Sequence, residues 1–276
     1  MKLQATYPTR EHQAAAEAIV EFFATNYTID AVLLVNSCAR GKATRDSCLD
    51  IVVLAKPELL RSQLSTLERD WTNFERTDQA LEALKKVGKY SVVHPDFIDG
   101  AFVPVERDEA AGPDSFELEI GNFLAYSVPL WQGSDYLARL KQRWLPYYDE
   151  GLRQQRLNMV RHYCLNNLHH IPLYVERGLY FQSFDRLYNA YREFLQALFI
   201  ARRSYPIAYN KWIQEQVEEI LGLPELYRQL SHLFEIKQFE SSEIADKAEE
   251  VEQLLEEYAP ASNTARRPST PSLGKG

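Results

Sequence analysis

The spacing of apolar residues changes once along this chain, close to Gly133, and that change limits the folds it can adopt. Before Gly133, short apolar segments of strand length alternate with helical patterns; after it, apolar residues recur at helical spacing and no comparable strand signal follows. The pattern predicts an α+β protein with an α/β domain over residues 1–133 and an all-α helical bundle over residues 134–258. Residues 259–276 are rich in Ser, Thr, Pro and Gly, which predicts a disordered tail.

Two apolar segments in the first half flank a polar loop. Residues 31–35 and 49–55 have the length and composition of buried strands, and the second contains a single acid, Asp50. Residues 90–93 and 101–105 are also predicted strands, joined at Asp99 and Gly100 by a hairpin turn, because glycine accepts a positive φ without strain. Residues 116–120 alternate in polarity, which predicts one more strand, half buried, that carries Glu117 and Glu119 on one face.

Composition excludes several classes of function. The net charge of −8 argues against binding to duplex nucleic acid, which needs a basic surface, although a few Lys and Arg residues are enough to hold a triphosphate. The three cysteines have no CxxC spacing, so a disulfide framework or zinc site is not expected and a reducing compartment is. Residues 1–15 lack the apolar centre of a signal peptide, and no segment has the apolar length of a membrane helix. We therefore expect a cytoplasmic protein without a membrane partner.

The loop between the first two strands carries a recognisable motif. It begins Val35-Asn36-Ser37, continues through ten residues, 38–47, and ends at Cys48-Leu49-Asp50. This layout resembles the signature of the DNA polymerase beta-type nucleotidyltransferases, the superfamily that includes aminoglycoside and lincosamide nucleotidyltransferases. In that signature an apolar strand is followed by Gly-Ser, about ten residues, and Asp-x-Asp in the next strand. The resemblance implies a nucleotidyltransferase domain with a mixed sheet, and the stretches 113–122, 143–148 and 203–212 are similar to parts of bacterial members with a helical C-terminal domain.

The spacing of the acid pair has a chemical reason. Nucleotidyl transfer develops negative charge that is usually held by Mg²⁺, and Mg²⁺ prefers oxygen ligands. Residues i and i+2 of a strand point to the same side, so acids at both positions can reach one metal cluster. By resemblance, Asp50 is a catalytic, metal-binding acid. Asp96 is the first choice for the family's third acid on a later strand, and Glu117 or Glu119 are the alternatives.

The sequence departs from the family pattern at two positions. Cys48 occupies the place of the first acid, and a thiol is a soft ligand that suits Mg²⁺ poorly, so the metal position is degenerate there. Asn36 replaces the usual glycine, which is a milder change because Asn tolerates left-handed backbone angles. The prediction that follows is a conserved fold with nucleotide binding, and an activity that Cys48 can impair.

Several residues are expected to hold the nucleotide. In the loop these are Asn36, Ser37, Arg45 and Ser47, whose hydroxyls, charge and backbone N–H groups can cradle phosphates. From the helical half, the resemblance implies that a basic residue reaches the triphosphate, and Lys211 and Arg203 are the candidates. The resulting hypothesis is an ATP-binding or related enzyme that binds a nucleoside triphosphate with Mg²⁺ and transfers the nucleoside monophosphate to a hydroxyl of a small-molecule acceptor.

Two alternatives remain open at this point. The chain could be a catalytically degenerate protein that keeps the fold for nucleotide sensing or protein interaction. It could also be one component of a toxin–antitoxin pair, because Arg156 and His162 match the loose Arg-x(4–6)-His spacing of HEPN-type RNases. The sequence does not indicate the acceptor, the preferred base or the oligomeric state.

Overall fold

The structure, a computed structural model, describes residues 3–104 and 112–261 in two compact units. The first unit comprises Met1–Asp108, Pro113–Tyr148 and Arg203–His232, and the second comprises Glu109–Gly112, Asp149–Arg202 and Leu233–Gly276. The predicted boundary at residue 134 falls inside the second of the three segments of the first unit. Most of the predicted tail, from residue 262 onward, lies outside the described residues.

A four-stranded mixed sheet forms the centre of the first unit. Its strands are β1 (Ala31–Leu34), β2 (Leu49–Leu54), β3 (Val93–Ile98) and β4 (Val128–Gln132), in the order β3-β2-β1-β4. Strand β1 runs antiparallel to both β2 and β4, whereas β2 and β3 are parallel. The α+β class is therefore confirmed.

Helices account for most of the remaining described chain. In chain order they are α1 (Arg10–Asn26), α2 (Asn36–Ala39), α3 (Pro57–Thr77), α4 (Gln79–Lys85), α5 (Phe116–Ile120), α6 (Tyr136–Trp144), α7 (Glu150–Glu176), α8 (Tyr180–Ala201), α9 (Pro224–His232) and α10 (Glu243–Tyr258). The first unit also contains two π-helical turns, Gly121–Ala125 and Glu215–Ile220. The second unit contains α7, α8 and α10, which pack against one another.

Strand β2 is apolar and fully buried except at Asp50. Leu49, Ile51 and Val53 are fully buried in one cluster with apolar residues of α1, α3 and α4, among them Ile19 and Phe23. Because successive strand residues point to opposite faces, Asp50 lies on the other face of the sheet. The apolar face fixes the register of β2, since a slip of one residue would bring Asp50 into this cluster.

Four predictions about the strands differ from the structure. The strand predicted over residues 90–93 lies instead at Val93–Ile98, so the two overlap at one residue. Residues 116–120 form helix α5, not a strand, and the five-residue segment is too short for its alternation to distinguish a strand from a helical turn. No hairpin follows β3 within residues 101–104, although Gly100 does adopt a left-handed φ of 73°. The sequence prediction also lacked β4, which contains Pro129 and pairs with β1 at the edge of the sheet, where a missing N–H donor is tolerated.

Within residues 3–104 and 112–261, no helix is both long enough and apolar enough to cross a membrane.

Candidate functional site

The loop between β1 and β2 starts with a strained backbone turn. Asn36 has a φ of 55°, in the left-handed region that asparagine tolerates better than most residues, and it begins the short helix α2. The Lys42 N–H then donates to the Ser37 carbonyl at 2.9 Å, and the Val35 N–H donates to the Asp50 carbonyl at 3.1 Å. The segment thus turns tightly between neighbouring strands and returns to begin β2 beside the end of β1.

A buried histidine supports the far end of this loop. His12 is fully buried in α1, and its Nε2 lies 3.0 Å from the Ser47 carbonyl oxygen. Its Nδ1 lies 2.9 Å from the hydroxyl of Thr9, which also caps the helix. Both ring nitrogens are therefore engaged, and the backbone that leads into Cys48 is held in place by α1.

Two carboxylates lie on neighbouring parallel strands and on one face of the sheet. Asp50 pairs with His94 in the register, and Asp96 follows His94 by two residues, so all three share one face. Given the usual strand separation and rise, the Cα atoms of Asp50 and Asp96 are about 8 Å apart, a distance that two extended carboxylates can bridge through one ion. Partial loss of water and the negative charge of Asp50 raise the pKa of Asp96, which shows that the two groups interact.

Cys48 contacts the first of these acids directly. Its Sγ lies 3.3 Å from both carboxylate oxygens of Asp50, in donor geometry. Burial, followed by the charge of Asp50, raises the pKa of the Cys48 thiol to about 11, so the sulfur is protonated at neutral pH. Cys48 therefore acts as a hydrogen-bond donor to Asp50 and supplies no anionic ligand.

The donor set fits a single Mg²⁺ ion held jointly with a substrate. Asp50 and Asp96 provide hard oxygen ligands, whereas the protonated Cys48 does not. Within the described part of the chain, no three His, Cys, Asp or Glu side chains form a group suited to hold a metal. Mg²⁺ is commonly bound by one or two carboxylates together with phosphate oxygens and water, so two carboxylates are compatible with a nucleotide-bound ion but not with a cage made of protein alone.

A lysine from the last segment of the first unit reaches the same region. Burial and the charge of Asp50 raise the pKa of Cys48, and the positive charge of Lys211 offsets a small part of that rise, so its ammonium group lies within electrostatic range of the thiol. The backbone at Lys211 is fixed by Gln216, whose buried side chain donates to the carbonyls of Lys211 and Ala208 at 3.0 and 2.8 Å. The same amide accepts from the Ile207 N–H at 2.6 Å, so one side chain organises the whole turn that presents Lys211.

The other predicted nucleotide ligands have varied surroundings. The Arg45 Nε donates to the Val87 carbonyl at 3.1 Å, which directs the guanidinium towards the end of α4. The Ser47 hydroxyl accepts from the Thr44 N–H at 2.9 Å and so closes a turn inside the loop. Ser37 is partly exposed at the start of α2. Arg203 is exposed, and its φ is 49°.

The two alternatives to Asp96, Glu117 and Glu119, have different surroundings in the structure. Glu117 is fully buried in α5 and accepts a hydrogen bond of 2.8 Å from the Tyr148 hydroxyl, so it belongs to the packing of the first unit. Glu119 is partly exposed, accepts from the Ser115 hydroxyl at 2.8 Å, and lines the same cavity as Asp96. Their shared strand face was a wrong prediction because both lie on a helix. Asp96 is the acid that shares a face with Asp50.

A buried ion pair next to the loop was missed by the sequence analysis. The Arg40 Nε donates to Glu215 Oε1 at 3.1 Å, with both side chains almost completely buried. The Trp212 ring lies 5.2 Å from the guanidinium carbon and completes the enclosure. The pair joins the β1–β2 loop to the π-helical turn after Lys211. Arg40 stands inside the motif segment, but nothing in its spacing indicated burial, because the partner lies 175 residues away in sequence.

The residues of the RNase alternative do not form an exposed pair. Arg156 is among the largest fully buried side chains, whereas His162 is exposed on the same helix, α7. An RNase site needs both groups to reach one phosphate, and a guanidinium buried inside the second unit is poorly placed for that. The adjacent His169 and His170 bond separately, to Glu252 and to the Asn166 carbonyl.

Comparisons with known proteins do not assign the chain to a group. No protein-family model matches the sequence, and no curated protein matches it significantly.

Proposed function

We propose that this chain is a nucleotide-binding protein with a nucleotidyltransferase-type site, which binds a nucleoside triphosphate with Mg²⁺ and transfers its nucleoside monophosphate to a hydroxyl of a small molecule. The observation that carries the proposal is the placement of Asp50 and Asp96 on adjacent parallel strands and on one sheet face. The loop with its left-handed Asn36 enters the same strand, and the charge of Lys211 acts on Cys48 beside it.

The two carboxylates would hold the ion that the triphosphate brings. Mg²⁺ bound there supplies charge neutralisation for the phosphates as negative charge develops during transfer. Asp50 is the better placed of the two to be held in one orientation, because the Cys48 thiol donates to its oxygens. That same hydrogen bond competes with the ion for the carboxylate, which is the physical reason to expect weak metal binding.

In this proposal, Lys211 and the β1–β2 loop bind the phosphates. Lys211 is exposed on a turn that Gln216 holds rigidly, so its ammonium can contact phosphate oxygens without a large loss of backbone freedom. Ser37 follows the left-handed Asn36 and offers its hydroxyl at the start of the loop. Arg45 uses its Nε to bond the Val87 carbonyl, which directs its remaining N–H donors towards the end of α4. Lys211 and Ser37 are therefore the primary phosphate ligands in this proposal.

Asp96 is the group suited to accept the proton of the acceptor. It is the more exposed of the two acids, so it is the one that an acceptor hydroxyl can approach. In the transfer, the acceptor oxygen bonds to the α-phosphorus while the bond to the bridging oxygen breaks. Pyrophosphate leaves, and the hydroxyl proton passes to Asp96.

One observation favours a second candidate, a protein that binds nucleotide without transferring it. Cys48 contributes a proton rather than a ligand, and the described residues offer no three-group metal set. The variant Cys48→Asp distinguishes the two candidates in a Mg²⁺-dependent transfer assay. Activity that arises only in the variant supports the non-catalytic candidate, whereas measurable activity in the native chain that depends on Asp50 supports the enzyme.

The proposal is tested by thermal unfolding with each of the four nucleoside triphosphates, with and without Mg²⁺. A bound ligand stabilises the folded state by an amount that grows with the logarithm of its concentration relative to Kd, which raises the melting temperature, and we expect one triphosphate to do so only when Mg²⁺ is present. The rise should be lost in Asp50→Asn and retained in Glu82→Asn, an exposed acid on α4. No response to any triphosphate, or an equal response in Asp50→Asn, would rule the proposal out.

A further inference from the structure

A cavity of about 540 Å³ opens along β3, immediately beyond Asp96. Its walls come from the end of β3, the residues that follow it, the first turns of α3, and the segment of α5 and the π-helical turn. This volume lies within the range of sites that enclose small organic molecules, roughly 300–1,000 Å³. All of its lining residues belong to the first unit.

The cavity is lined by apolar side chains and by more acidic than basic side chains. Apolar lining residues are Leu60, Leu64, Ile98, Phe102 and Phe123. The acids are Asp96, Asp99 and Glu119, and the one base is Arg61. Arg61 donates to the Pro57 carbonyl at 3.2 Å and lies 3.6 Å from Glu58, so its charge is directed along its own helix.

The acids keep capacity for a ligand. Asp99 accepts the Ala101 N–H through one oxygen, at 2.9 Å, and Glu119 accepts the Ser115 hydroxyl through one oxygen. A carboxylate has about four acceptor positions, so each bond leaves most of the group available. An acidic wall of this kind attracts a protonated amine and repels phosphate, which makes the cavity unsuitable for the triphosphate.

Asp96 is shared by the cavity and the acid pair. It lines the cavity, and it lies on the same sheet face as Asp50. A molecule in the cavity can therefore present a hydroxyl to Asp96.

The geometry points to this cavity as the acceptor site, and to an acceptor with a compact apolar body, a hydroxyl and a protonated amine. The apolar wall takes the body, Asp99 and Glu119 take the amine, and Asp96 takes the hydroxyl. The inference rests on the proposed function for the transfer step, but the binding of an amino alcohol can be measured without any nucleotide.

The test uses 2-amino-3-phenylpropan-1-ol as the probe, with 3-phenylpropan-1-ol and 3-phenyllactate as its uncharged and anionic counterparts, in calorimetric or NMR titrations of the full chain. We expect the amino alcohol to bind about tenfold more tightly than the uncharged alcohol, and the anion not to bind up to about 10 mM. Glu119→Gln should lower the affinity for the amino alcohol by about three- to tenfold and leave the affinity for the uncharged alcohol unchanged. Equal affinity for all three probes, or no binding of the amino alcohol, would overturn the inference.

A second variant places the probe in the cavity. Ala101→Trp adds a large side chain at an exposed lining position and should abolish binding of the amino alcohol, whereas Ala138→Trp, on the exposed side of α6, should not. Unchanged binding in Ala101→Trp would also overturn the inference. Far-ultraviolet circular dichroism shows whether each variant is folded. If Ala101→Trp does not fold, Glu119→Gln provides the test.

Failure of this inference is distinguishable from failure of the proposed function. If the Mg²⁺-dependent nucleotide response is present but the amino alcohol does not bind, the acceptor assignment is wrong and the nucleotide site stands. If the amino alcohol binds in an Ala101-dependent manner but no triphosphate does, the cavity is an amine-binding site and the transfer function is rejected.

Discussion

The two faces of the sheet show how one strand can serve stability and chemistry at once. On one face, Leu49, Ile51 and Val53 of β2 are fully buried against α1, α3 and α4. On the other, Cys48, Asp50 and Asp96 gather at the start of β2 and beside it on β3. The apolar cluster determines the register. On the face of Asp50, Val52 and Leu54 are also fully buried, so Asp50 is a partly exposed acid near the start of a strand that is otherwise buried on both faces.

The polar side of the first unit is nevertheless anchored, by a different kind of contact. The apolar face is held by packing of apolar side chains. The β1–β2 loop, in contrast, is joined to the turn after Lys211 by the buried Arg40–Glu215 ion pair. Removing one partner of a buried ion pair leaves an uncompensated charge, whereas removing apolar atoms leaves a cavity. The two kinds of anchor therefore predict different consequences of mutation.

The largest expected effect is at the ion pair. Glu215→Ala leaves the Arg40 guanidinium buried beside Trp212 without its carboxylate, and we expect a loss of about 3–5 kcal/mol in the free energy of unfolding. Urea unfolding measures this loss. The double variant Arg40→Met with Glu215→Leu should recover most of it, because no charge is then left unpaired. A loss below about 1 kcal/mol in Glu215→Ala would show that the pair is not buried as described.

A matched pair of variants on β2 compares the two faces directly. Ile51→Ala removes buried methyl groups from the apolar cluster and should cost about 2–5 kcal/mol of stability in urea unfolding. Asp50→Asn, one residue away, should change stability by no more than about 1 kcal/mol, because the side chain is partly exposed and keeps its shape. Equal losses in both variants would contradict the division of the strand into two faces.

The same division explains how far the sequence could predict the structure. The strands β1 and β2 and the loop between them follow from short-range patterns, and the structure contains them. Asp96 was chosen by resemblance, and its place beside Asp50 depends on the parallel pairing of β2 with β3, for which spacing carries no signal. The helical conformation of residues 116–120 could not be predicted, because a five-residue alternation fits both a strand and a turn of helix. The Arg40–Glu215 pair could not be predicted either, because it joins segments far apart in the chain, and spacing carries no signal for such a contact.

Restoring the missing acid tests whether Cys48 limits the metal site. Cys48→Asp places a carboxylate two residues before Asp50 and removes the thiol that occupies its oxygens. We expect binding of Mn²⁺, a hard octahedral substitute for Mg²⁺, to tighten by about ten- to a hundredfold in an electron paramagnetic resonance titration. Cys48→Asn, of similar size but uncharged, is the control. An equal affinity in the native chain and in Cys48→Asp would place Cys48 outside the metal site.

The contact between Cys48 and Asp50 can also be tested through the reactivity of the thiol. Burial and the charge of Asp50 raise the pKa of Cys48 to about 11, so little thiolate is present at pH 8 and alkylation by iodoacetamide should be slow. Asp50→Asn removes the charge, and the alkylation rate of Cys48 should rise by roughly three- to tenfold. Cys38 and Cys164, both buried, should be replaced by alanine in the two proteins compared. An unchanged rate would mean that Asp50 does not act on the thiol.

The smallest effect is the pH dependence that Asp96 contributes. Its folded-state pKa is raised from 3.8 by partial burial and by Asp50, so the folded protein holds this proton more tightly than the unfolded chain does. The favourable contribution is complete below pH 3.8 and is lost as the pH rises through the folded-state pKa, which means that ionised Asp96 slightly destabilises the fold at pH 7. Asp96→Asn should therefore be more stable than the native chain at pH 7, by less than about 1 kcal/mol because the group is exposed, and this advantage should vanish towards pH 3.8. Urea unfolding of both proteins between these values measures it. An advantage that grows as the pH falls would place Asp96 beside a positive charge and separate it from Asp50, so that the polar face would no longer hold a pair of acids.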